Sequence, residues 1–401
     1  SDPTWLPFDG IDPSLFFDDD GRAWVVSNGA PPGNKPLYSG HRAIYLQEFD
    51  SQAGKLVGPS RIIVDAGAKP ADHPIWIEGP HLFKRDGWYF LICAEGGTAE
   101  QHSEVVFRSR NVGGPFVPGP ANPILTQRTL PDSRPDPITC TGHADFVETQ
   151  HGEWWSVFLG CRPYEGSMYN TGRETFMLPV EWTDGWPSIL PLGAAVPYVA
   201  VSPNGASADS ARRPPVTGNF RWKDDFAGPL LAKPWIGLRG MPEVAFASGS
   251  MHGLLLTPSS DSLWGNGKPA FIAHRIQHTR FTANTVLRAP DSIGVSAGLV
   301  AFQGELHHYF FGVRQTGHGQ EVFVERLDGG PAETIARAVV RQNSLIMLEL
   351  VCNGAACDFN YSPAPGEENA LLPGADATLL STQVAGGFVG AVVGLYARLD
   401  P

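Results

Sequence analysis

DPSLFFDDDGRAWVV (12–26), EGPHLFKRDGWYFLI (78–92) and HADFVETQHGEWWSVFL (143–159) lie on one ruler of about 65 residues, and the first residue of each can do chemistry. Asp12, Glu78 and His143 each stand nine positions before a turn glycine: Gly21, Gly87 and Gly152. An aromatic and an apolar run follow each glycine, so each copy reads as strand, tight turn, strand. Hairpin repeats of this size point to the blades of a β-propeller. Because the innermost strand of every blade lines one central channel, the register predicts that Asp12, Glu78 and His143 face one pocket.

Residues 8 to 195 hold about three such blades, and known small propellers close with at least four. Three blades alone would leave apolar sheet faces in water. The expectation is that about two blades lie outside this chain, on a missing N-terminal segment or a second polypeptide. The Ser-, Pro- and Ala-rich stretch VSPNGASADSARRPPVTGNFRW (201–222) then reads as a linker. Beyond Phe220, FIAHRIQHTRFTANTVLRA, SAGLVAFQGELHHYFFGV and GGFVGAVVGLYARL read as strands of a two-sheet sandwich. The predicted organisation is all-β: 1–200 a partial propeller carrying the catalytic groups, 201–219 a linker, 220–401 a β-sandwich.

Composition agrees with short strands and tight turns. The 401 residues include 46 glycines and 36 prolines, and only 17% are charged. A net charge of −12 argues against nucleic acid or an anionic membrane as partner and favours a neutral ligand such as a sugar. No window is apolar and long enough for a membrane helix. The chain opens on SDPTW, which reads as a processed product or a fragment and leaves its compartment open. Five cysteines without zinc spacing read as buried thiols, with a Cys352 to Cys357 loop disulfide as the alternative.

A carboxylate pair around a channel is the minimum equipment for glycoside hydrolysis, in which an acid protonates the leaving oxygen and a base activates water. Glu78 fits the acid, because Ile75, Trp76 and Ile77 beside it can desolvate a carboxyl. Asp12 lies one blade away, and two neighbouring carboxylates push one another's titration upward. His143 can hold water, ligate an ion or bond the acid. Glu95, His102, Arg162 and Arg173 are further polar groups near blade loops, and an Arg fork can clamp sugar hydroxyls or a carboxylate. Trp76 joins the substrate-binding candidates. Asp18, Asp19 and Asp20 look like part of a calcium loop but lack its later ligands, so they read as a hairpin turn. His307 and His308, adjacent on one strand, face opposite sides.

The ordered set GIDPSLFFDDDG, IEGPHLF, LICAEGGT, NPILT, TGHADFV, WWSVFLGCRP, GRETF and GGFVGAVVGLYA resembles the family 43 glycoside hydrolases. Similarity is closest to the β-xylosidase and α-L-arabinofuranosidase branch, which carries a C-terminal sandwich. The resemblance implies a five-bladed propeller, a concanavalin-like jelly roll and an inverting mechanism. It makes Glu78 the general acid, Asp12 the aspartate that modulates its pKa, Arg173 an arginine at the sugar subsite and Phe388 a sandwich-loop residue at the substrate. It makes His143 a channel residue and a candidate ligand of calcium or another cation, with no cofactor required. The family's general base is a first-blade aspartate in a DPS motif far upstream of Asp12, so the base is expected outside this chain. The implied function is an inverting exo-hydrolase releasing terminal xylose or arabinose from xylo-oligosaccharides or arabinoxylan fragments. The alternative is a carbohydrate-binding propeller without catalysis, since the base is lacking.

Overall fold

The computed structural model describes residues 3–200, 203, 218–247, 253–341 and 345–400. Nearly all of the predicted linker therefore lies outside the described residues. Two compact units emerge, one of residues 1–162 and 174–206, the other of 163–173 and 207–401. The predicted boundary near 200 is thus joined by an excursion, since 163–173 belongs with the C-terminal unit.

In the first unit β1 (Ile11–Phe17), β2 (Ala23–Gly29), β3 (Ala43–Asp50) and β4 (Lys55–Asp65) form an antiparallel meander. A second sheet contains β5 (Glu78–Arg85), β6 (Trp88–Glu95), β7 (Ser103–Ser109), β8 (Val117–Pro118) and β9 (Leu125–Thr126). A third contains β10 (Thr139–Glu148), β11 (Trp154–Cys161) and β12 (Glu174–Pro179), followed by a hairpin of β13 (Glu181–Thr183) and β14 (Trp186–Ser188). β1, β5 and β10 are the strands read from the three repeats.

Successive sheets pack face to face through apolar layers. Trp24, Ile44, Ile77 and Phe107 lie in the layer between the first and second sheets; Phe90, Ile124, Phe158 and Leu178 lie between the second and third. The triple-aspartate run is a turn, as its sequence suggested: Asp18 turns inward to Lys84 Nζ at 2.9 Å and Tyr89 Oη at 2.7 Å, tying the first sheet to the second. Several apolar side chains stay in water. Ile11, Leu15 and Phe17 of β1 are more than half exposed, and Val147, Val157 and Met177 of the third sheet are 40% exposed or more.

The second unit is a sandwich. Its seven-stranded sheet has the order β15 (Ile236–Gly237), β18 (Ala270–Arg275), β27 (Val392–Leu399), β20 (Val295–Gly304), β21 (His307–Thr316), β22 (Gly319–Asp328) and β23 (Glu333–Val340). The facing sheet has the order β19 (Arg280–Leu287), β24 (Ile346–Asn353), β25 (Ala356–Ser362) and β26 (Asn369–Asp376), and β16 (Val244–Ala247) pairs with β17 (Gly253–Leu256) apart from both. Alternation builds the core: Ile346, Leu348, Leu350 and Cys352 of β24 point inward to Phe311, Val322 and Val324. Cys352 and Cys357 sit directly opposite one another on β24 and β25 and are disulfide-bonded. Five residues of separation look like a loop in sequence, but a tight hairpin turns them into a cross-strand pair. Cys93, Cys140 and Cys161 are buried thiols.

Candidate active site

Each of the three repeat strands breaks its pairing at its chemical residue. β1 slips against β2 between Ile11 and Ser14, β5 against β6 between Glu78 and His81, and β10 against β11 between Gly142 and Asp145. A bulge of this kind adds a residue to one strand and re-aims its side chains. The left-handed residues of the three bulges are Asp12 (φ 51°), Gly79 (φ 55°) and His143 (φ 55°).

That geometry refines the register read from sequence. Asp12 is equivalent to Gly79 and His143, and Glu78 stands one position earlier. The cause is turn length. β5 and β6 are joined by the two residues Asp86 and Gly87, whereas five residues separate the last paired positions of β1 and β2 and of β10 and β11. The middle turn has two fewer residues before its glycine and its strand one more after the bulge, so counting back from the glycine overshoots by one in the middle repeat.

The three bulges converge nonetheless. The Gly79 N–H donates to Asp12 Oδ2 at 3.1 Å, and His143 Nε2 lies 3.6 Å from the same oxygen. A Cβ on Gly79 would stand 2.8 Å from the His143 ring, so only glycine lets the imidazole lie there. Ser14 Oγ donates to the Pro80 carbonyl at 2.6 Å, and the Asn28 side-chain amide donates to the Ile77 carbonyl. The backbone is thus held on both sides of Glu78 by groups of the first sheet. Asp12 and His143 side chains are 27% and 29% exposed, which leaves them open to a solute.

The apolar setting expected for Glu78 is divided. Ile77 is fully buried in the core, while Ile75 and Trp76 are 40% and 44% exposed. Ile75 packs on Gly40, and the Trp76 ring lies 3.2 Å from the Cβ position of Gly97 in the AEGGT loop. Two residues missed in sequence also stand here. His81 Nδ1 is 3.4 Å from Asp145 Oδ1, and burial pulls the imidazole below its usual range against the opposing effect of Asp145. The signal was available, since His81 ends EGPH and Asp145 lies in HAD.

Two buried carboxyls back this arrangement. Glu95 is 8% exposed and its Oε1 accepts the Ala68 N–H at 2.6 Å; burial pushes its pKa up to about 7. Glu104 is fully buried, and burial pushes it well above the usual carboxylate range. His102, also buried, bonds the Cys140 carbonyl through Nδ1 at 2.9 Å. Glu95 predicts a stability trend. The unfolded chain releases this proton near 4.5 and the folded one near 7, so stability present below 4.5 is lost as pH rises to about 7. The loss is on the order of 3 kcal/mol. Thermal unfolding of Glu95→Gln across that range should run flatter than wild type; parallel curves would remove Glu95 as the cause.

Arg162 is engaged within the first unit, forked onto Glu174 at 2.8 and 2.6 Å with Tyr198 Oη at 3.0 Å. Arg173 and Phe388 meet within the second unit, the guanidinium carbon 4.5 Å from the centre of the ring. Gly172 and Gly390 allow this, since a Cβ on Gly172 would fall 2.3 Å from the Gly390 nitrogen. The motifs GRET and GGFVG are therefore backbone neighbours. Among the described residues no group of three or more His, Cys, Asp or Glu side chains could hold a metal ion, and no step below is routed through a cation at His143.

Residues 1–187 match glycosyl hydrolases family 43, and residues 223–399 match the beta xylosidase C-terminal Concanavalin A-like domain. The chain is 32% identical to a xylosidase/arabinosidase of Butyrivibrio fibrisolvens, over 99% of this chain and 75% of that protein. The chain belongs to glycosyl hydrolase family 43. This family-43 chain is also 30% identical to a non-reducing end alpha-L-arabinofuranosidase of Bacteroides ovatus, over 99% of its own length and 70% of the relative's. Its fold matches the crystal structure of a GH43_12 retrieved from capybara gut metagenome with a TM-score of 0.89 at 36% identity, covering 99% of this chain and 74% of that one. The first unit thus carries the family-43 propeller fold and the second the concanavalin-like sandwich, the fold class read from the sequence.

Proposed function

We propose that this family-43 glycosidase is an inverting exo-hydrolase that releases terminal xylose or arabinose from xylo-oligosaccharides and arabinoxylan fragments. The observation that carries the reading is the Asp12 to Gly79 hydrogen bond, which sets the backbone next to Glu78. Glu78 protonates the glycosidic oxygen as the bond to the anomeric carbon breaks. A carboxylate base takes a proton from water attacking the opposite face. We assign that base to a carboxylate outside residues 1–401, on a segment or second polypeptide completing the propeller; the exposed apolar side chains of β1 and of the third sheet favour such a partner. Trp76 and His143 are assigned to the sugar in this unit, and Arg173 with Phe388 is proposed as a sugar-contacting pair of the second. The relatives named xylosidase/arabinosidase and arabinofuranosidase support both pentoses as products.

The test is hydrolysis of 4-nitrophenyl β-D-xylopyranoside and α-L-arabinofuranoside, with the product anomer followed by NMR and the same sample weighed by native mass spectrometry. Release of the inverted pentose supports the reading. Binding without hydrolysis by a lone chain would favour a non-catalytic sugar-binding propeller, the reading favoured if no partner supplies the base. Asp12→Ala should cost about 1.5–3 kcal/mol of transition-state stabilisation through its lost charged hydrogen bond, roughly tenfold to a hundredfold in kcat/KM. An unchanged rate constant would remove Asp12 from the machinery.

A further inference from the structure

We propose that Glu104 is a positioning residue for this site, fixing the bulge of β10 that carries His143 to Asp12; the inference rests on the catalytic reading of Asp12 and Glu78 given above. Glu104 lies on β7, in the second sheet, and is wholly buried. Its Oε2 accepts the Ala144 N–H at 2.9 Å, the amide that directly follows His143. That donor belongs to the stretch where β10 has slipped out of register with β11. A bulge leaves such groups without strand partners, and buried N–H groups require acceptors. Glu104 meets that requirement from the neighbouring sheet.

The same device appears one sheet earlier, where Asp12 captures the Gly79 N–H in the bulge of β5. In both cases a carboxyl of the preceding sheet holds the left-handed turn of the next. The contacts then form a circuit: Glu104 in the second sheet holds the His143 bulge in the third, the His143 ring lies over Gly79 and 3.6 Å from Asp12 in the first, and Asp12 bonds Gly79 in the second, one residue from Glu78. Glu104 touches no reacting atom. Its contribution is the angle at which His143 leaves the backbone.

The discriminating feature is an acceptor oxygen, which glutamine keeps and methionine, of similar size, lacks. Glu104→Met should lower kcat on 4-nitrophenyl β-D-xylopyranoside about a hundredfold, the scale of a misplaced catalytic geometry, with KM nearly unchanged. Glu104→Gln should restore kcat to within about threefold of wild type. A folded Glu104→Met with wild-type kcat, or a Glu104→Gln as impaired as the methionine variant, would overturn the proposal. A second measurement does not depend on either variant being active or on Glu104→Met folding. In the isotope-labelled wild type and in Glu104→Gln, the amide proton of Ala144 should be downfield and protected from exchange, and an unprotected amide would overturn the proposal outright. If Glu78→Gln keeps full activity, the catalytic reading fails, yet a protected Ala144 amide still shows the bulge held as described.

Discussion

Replacing Glu78 with glutamine is expected to lower turnover of xylobiose by a hundredfold to ten-thousandfold, the range over which a positioned general acid accelerates bond cleavage. The loss should shrink for 4-nitrophenyl β-D-xylopyranoside, because nitrophenolate departs without a proton. Substrate binding should change little: glutamine keeps the size of the side chain, and the bonds that hold the strand come from neighbours. Gly79 donates to Asp12, Ile77 accepts from Asn28 and Pro80 accepts from Ser14. The decisive comparison is kcat/KM on the two substrates for wild type and Glu78→Gln. Equal losses on both would show that Glu78 acts in something other than proton donation, and no loss on either would remove it as the acid.

What could be read from sequence was whatever repeats. Three hairpins with apolar runs after a turn glycine specify three sheets, and the change of pattern after Phe220 specifies the sandwich; both follow from a period of two. The bulges were not legible. A slipped pair depends on how two strands meet, and Asp12, Gly79 and His143 reveal their shared left-handed backbone only once the sheets exist. The one-residue offset of Glu78 was hidden for a related reason, since the ruler assumed equal turns and the middle hairpin is shorter. Glu104 was invisible because SEVVF reads as an ordinary strand, and only the packing of β7 against β10 turns its carboxyl into the acceptor for Ala144. Which of its two possible targets the Arg162 fork takes was not legible either: the carboxylate, Glu174, reaches it only because the end of β11 and the start of β12 lie side by side.

Gly79→Ala is expected to be as damaging to activity as the loss of a catalytic group, although it adds one methyl to a residue without chemistry. Two costs fall on it. The backbone sits at φ +55°, where a side chain costs about 1–2 kcal/mol. The new Cβ would also stand 2.8 Å from Cε1 and Nδ1 of His143 and 3.0 Å from Nε2, so the whole ring must leave. Moving it separates Nε2 from Asp12 and disturbs the Asp12 to Gly79 bond, which holds the strand at Glu78. A shift of about 1 Å in such a constellation is enough for a hundredfold loss in kcat. Gly21→Ala supplies the control, because Gly21 has φ +86° but nothing within 4 Å of its Cβ position. Gly21→Ala should lose only the backbone part of the thermal stability that Gly79→Ala loses, and only Gly79→Ala should lose turnover. If Gly79→Ala folds and hydrolyses 4-nitrophenyl β-D-xylopyranoside as fast as Gly21→Ala, the stacking of His143 on Gly79 has no part in catalysis, and the convergence of the three bulges is a packing solution alone.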